Sequence, residues 1–267
     1  MSTRRSAARG SKIIAYRWRR RGAGAGRLQP VAHPHRIRLA DLLGIDRQKA
    51  ELDRNTRQFV KGLPANNALL WGSRGTGKSS LIKALLNEYA SQGLRLIEAE
   101  SGELTDLPDI VEPLYGRRER YIIFADDLSF EANDPSYKAL KALMDGSIVA
   151  APDNVLIYAT SNRRHLLPEF HSDNEPAQLV DTEIHHGEAV EEKISLSERF
   201  GLWLSFYPFS QEQYLEIVRH HLRALGVEET AGAELQAEAL RYALMRGSRS
   251  GRVAMQFARD WAGRTRL

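Results

Sequence analysis

Apolar residues fall into two kinds of run along this chain. Some are short and unbroken: Ala68-Leu69-Leu70-Trp71, Tyr121-Ile122-Ile123-Phe124-Ala125 and Val155-Leu156-Ile157-Tyr158-Ala159-Thr160. Continuous apolar runs of this length predict strands buried on both faces, as in a parallel sheet. Leu94 to Ala99 and Trp203 to Phe206 predict two more. Between the strands lie amphipathic stretches. Asp46 to Gly62 puts Leu52, Phe59 and Val60 on one side and stops at Gly62-Leu63-Pro64. Leu81-Ile82-Lys83-Ala84-Leu85-Leu86 begins a helix that reaches Ser91. Asp106-Leu107-Pro108 opens a short helix with Asp as cap and Pro in the first turn. Asp134-Pro135 opens another, carrying Leu140, Leu143 and Met144. Strands alternating with helices predict an α/β fold with a parallel sheet covered on both faces.

After Pro208 the pattern becomes helical only. Ser210-Gln211-Glu212-Gln213 is a capping box, and further helices are expected near 231–246 and 251–263. The expected organisation is a basic flexible arm over 1–30, an α/β core over 31–207 and a small all-helical domain over 208–267. Within the arm, Gly22-Ala23-Gly24-Ala25-Gly26 reads as a flexible spacer.

Composition changes this picture in two ways. The chain has no cysteine, which removes disulfides, thiolate metal sites and a Cys nucleophile and suits a cytoplasmic protein. No apolar run reaches the roughly 18 residues of a membrane span. The charge is lopsided: residues 1–40 hold eleven Lys/Arg and no acid, while the other 27 Lys/Arg face all 34 Asp/Glu, a net −7. The pI of about 9.3 therefore belongs to the N-terminal arm, not to the body. Three readings of that arm stay open. It could contact nucleic-acid phosphates, with Tyr16 and Trp18 stacking on bases. It could bind an acidic protein or membrane surface, or it could be a solvated tail.

The strongest chemical signal is Gly72-Ser73-Arg74-Gly75-Thr76-Gly77-Lys78-Ser79, followed by Ser80. It is a complete G-x-x-x-x-G-K-[ST] loop, between a predicted strand and a predicted helix, the setting a phosphate-binding loop needs. Its glycines let backbone N–H groups wrap the phosphates of a nucleoside triphosphate. Lys78 should reach the β- and γ-phosphates, and the Ser79 hydroxyl should bind Mg²⁺. Asp126-Asp127 follows the 121–125 strand at the end where ligands bind in such sheets. Asp126 is expected to hold Mg²⁺ through water, and Asp127 to polarise the attacking water. Thr160-Ser161-Asn162 ends the next strand, where the Asn162 amide could hold that water. Arg199, in Ser195-Leu196-Ser197-Glu198-Arg199-Phe200-Gly201, and Arg252, at the start of the last helix, complete the set.

In this order the residues resemble the AAA+ ATPases: a Walker A loop (Gly72–Ser79), a Walker B pair (Asp126-Asp127), a sensor-1 Asn (Asn162), an arginine finger (Arg199) and a sensor-2 arginine (Arg252). Leu43-Gly44-Ile45-Asp46, Pro64 to Gly72 and Ser195 to Gly201 are similar to a family of predicted bacterial AAA+ ATPases whose core is like that of helicase loaders and replication initiators. The resemblance covers residues 31–267. It implies ATP hydrolysis with Mg²⁺ in a homo-oligomer, with Arg199 acting in trans on a neighbour's nucleotide and Arg252 acting in cis. It also implies that Leu43-Gly44-Ile45 lies near the adenine, and that an unknown protein client is remodelled.

Two departures stand out. Many members carry Asp-Glu at Walker B, and this chain has the shorter Asp127. That keeps a second reading open, a nucleotide-binding switch or adaptor with little turnover. Also, 36 residues separate Asn162 from Arg199, so 168–194 reads as an inserted loop. Its His171, His185 and His186 fit a solvated polar loop better than a zinc site, because adjacent histidines do not easily face one ion. An Asn-Lys-x-Asp guanine-reading segment and a Leu-Ser-Gly-Gly signature are both missing, which argues against a GTPase and an ABC transporter subunit.

Overall fold

A computed structural model describes residues 13–20, 26–130, 134–145, 152–162, 196–227 and 232–266. The 168–194 insert, with its histidines, lies outside the described residues. So do residues 1–12 and 21–25, the latter covering most of the glycine-alanine spacer. Among the described residues seven strands form one sheet: β1 (Ala15–Arg19), β2 (Arg27–Pro30), β3 (Ala68–Gly72), β4 (Leu94–Ala99), β5 (Arg120–Ala125), β6 (Val155–Ser161) and β7 (Leu202–Phe206). Their order across the sheet is β2-β1-β4-β5-β6-β3-β7. Among the described residues, only the β1–β2 pair is antiparallel.

The unbroken apolar runs are buried on both faces, as parallel strands between helices require. All seven residues of β6 are buried, and so are the last five of β5. The pleat sends alternate side chains into two cores. Leu70, Phe124, Tyr158 and Phe206 pack with α1 (Asp46–Val60), α2 (Lys78–Tyr89) and the C-terminal helices. Leu69, Ile123 and Ile157 pack on the opposite side with α3 (Leu107–Val111) and α4 (Pro135–Asp145). Each fully buried Leu or Ile stabilises the fold by about 1.5–3 kcal/mol. The Tyr158 hydroxyl, sealed in the first core, hydrogen-bonds Thr56 and the Asn55 amide, and burial pushes its pKa up to about 12.

After Pro208 the described residues are helical: α5 (Gln211–Ala224), α6 (Gly232–Met245) and α7 (Gly251–Arg264). The capping box forms: Ser210 Oγ accepts from the Gln213 N–H, and Gln213 Oε1 accepts from the Ser210 N–H. No described helix is long and apolar enough to cross a membrane.

Over its described residues, 13–20 and 26–30, the N-terminal segment corrects the expectation of a flexible arm over 1–30. Residues 15–19 and 27–30 are strands of the main sheet, with β1 inserted parallel to β4. The alternation of aromatic and basic residues is the period-2 pattern of a strand. Tyr16 and Trp18 turn inward to the α3–α4 core. Trp18 is only 3 % exposed, and its Nε1 donates to Asp106 Oδ2 at 3.0 Å. It is therefore not free to stack on a base. Arg17 pairs with Glu98 at 2.7 Å, Arg19 with Glu100 at 2.7 Å, and Arg20 with Asp106 at 3.4 Å. A Cβ on Gly26 would fall 2.0 Å from the Trp18 ring, so glycine is needed where the chain passes the indole on entering β2. Asp106 is also corrected: its side chain makes no cap bond to α3, because it is spent on Trp18 and Arg20.

Candidate functional site

The C-terminal ends of β3, β5 and β6 bring most of the sequence-predicted site residues together. Gly72 ends β3 with φ +120°, and a Cβ there would sit 2.1 Å from the Phe206 carbonyl oxygen of β7. The loop then bends through Gly75 and Gly77, both at positive φ, before α2 begins at Lys78. The four free amides at a helix start, with the positive end of its dipole, suit an anion there. Thr76 ties the loop to itself, Oγ1 donating to the Ser73 carbonyl at 2.7 Å.

Lys78 is buried. Its ammonium donates to the Gly72 and Ser73 carbonyls, both at 2.7 Å, and to Asn162 Oδ1 at 3.3 Å. Burial lowers its pKa to about 8; the Asp127 and Asp126 charges oppose that shift, and Arg74 and Arg252 add to it. The lysine is thus held in the cradle by carbonyl oxygens that a phosphate oxygen can replace.

Asp126 lies directly against the loop helix. Its Oδ1 accepts from Ser79 Oγ at 2.7 Å and from Thr160 Oγ1 at 2.6 Å. A hydroxyl and a carboxylate in contact are the oxygen donors that Mg²⁺ takes, so this pair fits the cation the fold class implies. Asp127 has φ +54°, the one described non-glycine residue in the left-handed region. That turn aims its carboxylate at Asn162, whose Nδ2 donates to Asp127 Oδ1. Asn162 therefore joins Lys78 to Asp127, one amide serving both ends.

The start of α7 closes onto the loop. Ser250 caps it, and the Arg252 N–H donates to the Gly75 carbonyl at 3.3 Å. A Cβ on Gly75 would lie 2.9 Å from Ser250 Oγ and 3.2 Å from Arg252 Cβ. Arg252 thus stands beside the phosphate loop of its own chain. Ile45 packs at Gly77, and Gly44 packs under the Phe209 ring, so residues 44–45 lie between the loop and the helical region. Arg199 is placed apart from this cluster. It chelates the Asp145 carboxylate at the end of α4 through Nε and through a second nitrogen at 2.8 Å. The pairing raises the Arg199 pKa and lowers that of Asp145. Of the remaining loop residues, Arg74 is exposed and Ser73 and Ser80 are half-buried.

The residue-by-residue expectation missed Thr160, Ser161, Ser250 and Asp145. For Ser250 a signal exists: Ser-Gly before an amphipathic run is a helix start. A hydroxyl at a strand's end carries no comparable mark of its partner.

The strand order, the loop geometry and the helical region after Pro208 define the class: a P-loop protein with the AAA+ fold. Comparison with known structures agrees. A point mutant of RuvB from Thermotoga maritima matches with a TM-score of 0.59 at 17% identity, over 86% of this chain and 67% of that one. The Aeropyrum pernix ORC1 protein in complex with DNA matches with a TM-score of 0.53 at 16% identity, over 80% of this chain and 58% of that one. By sequence, the replication factor C large subunit of Staphylothermus marinus is 34% identical over 74 residues, 27% of this chain and 17% of that protein's length. Residues 11–265 match the family described as "Protein of unknown function (DUF815)", and the chain belongs to that family.

Proposed function

We propose that this protein binds ATP with Mg²⁺ and hydrolyses it at a site completed by a second copy of the chain. The observation that carries this reading is the single hydrogen-bonded cluster of Lys78, Ser79, Asp126, Asp127 and Asn162 at the mouth of the phosphate loop. Lys78 exchanges its carbonyl partners for β- and γ-phosphate oxygens. Ser79 and Asp126 are the residues that would hold Mg²⁺, which when bound neutralises phosphate charge. Asp127 and Asn162 orient the water that attacks the γ-phosphorus, and Asp127 takes its proton as ADP leaves. Arg252 reports the nucleotide to the C-terminal helices of its own chain. Arg199 of a neighbouring copy supplies positive charge to the transition state.

The RuvB structures include one described as a Holliday junction branch migration motor, and the ORC1 structure is a DNA complex. We extend DNA association to this chain as a proposal, with a homo-oligomer in the cytoplasm and a protein client of unspecified identity. Arg17, Arg19 and Arg20 are paired with acids and Trp18 is buried, so the nucleic-acid reading of the N-terminal segment draws no support from them. A second reading, a switch that holds ATP with little turnover, is favoured by one feature: the short Asp127 side chain is engaged by Asn162.

Steady-state hydrolysis of the wild type, Lys78→Ala and Asp127→Asn decides between them. Wild-type turnover well above both variants supports the ATPase. A wild-type rate equal to that of Lys78→Ala, with tight ATP binding retained, supports the switch.

A further inference from the structure

We propose that Thr160 is a positioning residue that sets Asp126 and Asp127 as one unit; this rests on the reading of the site as a Mg²⁺-dependent nucleotide site. Thr160 is 1 % exposed at the end of β6. Its Oγ1 accepts from the Asp127 N–H at 2.8 Å. An amide can only donate, so the single hydroxyl proton is left for Asp126 Oδ1, at 2.6 Å. One side chain therefore fixes the carboxylate expected to face the cation and the backbone of the residue expected to face the water.

That backbone needs fixing. A non-glycine residue in the left-handed region is disfavoured, because its Cβ crowds the following carbonyl oxygen, and Asp127 sits there at φ +54°. Without a partner, its part-buried N–H would add the penalty of an unsatisfied donor. The neighbouring bonds continue the seam: the Leu128 N–H donates to the Thr160 carbonyl at 2.7 Å, and Ser161 Oγ donates to the Leu128 carbonyl at 2.7 Å. Asn162 then reaches Asp127 itself. All three side chains of Thr160-Ser161-Asn162 thus grip the turn at 126–128. Asp126 Oδ1 receives the Thr160 and Ser79 protons together, so the Asp126 carboxylate is pinned between β6 and α2.

Thr160→Val is the informative change. Valine keeps the shape and suits a strand, but it removes both bonds. The phosphate loop itself is untouched, so ATP affinity without Mg²⁺ should be retained. Wild type, Thr160→Val, Thr160→Ala and Thr160→Ser of the full chain are compared by kcat and KM for ATP hydrolysis, and by ATP affinity in Mg²⁺ and in EDTA. Loss of a residue that orients ligands or catalytic groups typically costs 10–100-fold. Thr160→Val and Thr160→Ala should lose about that much in kcat and part of the Mg²⁺-dependent gain in affinity, so that any rise in KM accompanies the fall in kcat. Thr160→Ser, which keeps the hydroxyl, should restore both. The proposal is overturned if Thr160→Val matches wild type in kcat and in Mg²⁺ dependence, or if KM rises with kcat intact. If Thr160→Val fails to fold, judged by its melting curve, the Ala and Ser variants decide. If wild type turns over no faster than Lys78→Ala, the ATPase reading fails, and the Mg²⁺-dependent affinity still decides the role of Thr160.

Discussion

Two regions of the molecule look equally suggestive as sequence, and the structure uses them differently. At the mouth of the phosphate loop, Lys78, Asp126, Asp127 and Asn162 come together from three strand ends and keep their chemistry facing one place. In the N-terminal strand pair, Trp18, Arg17, Arg19 and Arg20 are consumed by the fold, the indole buried and the arginines paired along the acidic end of β4 and beyond. The difference lies in what each pattern constrains. A loop of defined glycine spacing between a strand and a helix specifies a ligand geometry. A run of alternating aromatic and basic residues specifies only a strand with one wet face and one dry face, and leaves its partner open.

The largest expected effect that sharpens this comparison is at Lys78. Lys78→Ala should weaken ATP binding by about a hundredfold, within the scale of truncating one partner of a buried, hydrogen-bonded charge pair, and leave the unfolding midpoint little changed. Calorimetric titration with ATP and a urea curve check the two halves. Trp18→Ala should do the reverse, costing about 3–5 kcal/mol of stability as a large buried aromatic does, with ATP affinity within twofold of wild type in the folded protein. Equal losses of affinity in both variants would erase the distinction between the regions.

A smaller effect follows from the Lys78 pKa of about 8. ATP needs the ammonium, so affinity should fall as pH rises through that value, by up to about tenfold per unit until the bound-state pKa is reached. The folded, nucleotide-free chain binds fewer protons at Lys78 than the unfolded chain does. That contribution therefore makes stability rise with pH between about 8 and the ordinary lysine range. ATP titrations at pH 7, 8 and 9 should show the fall in wild type and not in Lys78→Arg. The smallest effect is Arg17→Ala. Its pair with Glu98 is solvent-exposed enough that the loss should be about 0–1 kcal/mol and should shrink in high salt. A urea series at two salt concentrations checks it.

How legible each region was follows from the range of its contacts. The five predicted strands and the phosphate loop were readable because burial pattern and glycine spacing are local. Arg252 was readable from its order along the chain, and it does stand by Gly75. β1 was not, because β4, the strand that joins it to the rest of the sheet, lies some eighty residues away, as in the Arg17–Glu98 bond, and nothing near Trp18 names it. Asp106 looked like a helix cap because it precedes Leu-Pro, but a buried indole N–H had the stronger claim on its carboxylate. Thr160 was missed for a related reason. In a buried apolar strand a threonine reads as a β-former, and only the turn at 126–128, folded against it, reveals what the hydroxyl does.

Arg199 belongs to neither region: within one chain it is bound to Asp145, while its proposed work lies in another copy. The most direct measurement mixes two inactive proteins, Arg199→Ala and Asp127→Asn, and follows ATP turnover. A shared site predicts activity well above the sum of the separate proteins, because an Arg199→Ala chain keeps its acidic turn and receives an intact Arg199 from its Asp127→Asn neighbour. Turnover no greater than that sum, in samples shown by size-exclusion chromatography to contain mixed oligomers, would contradict it.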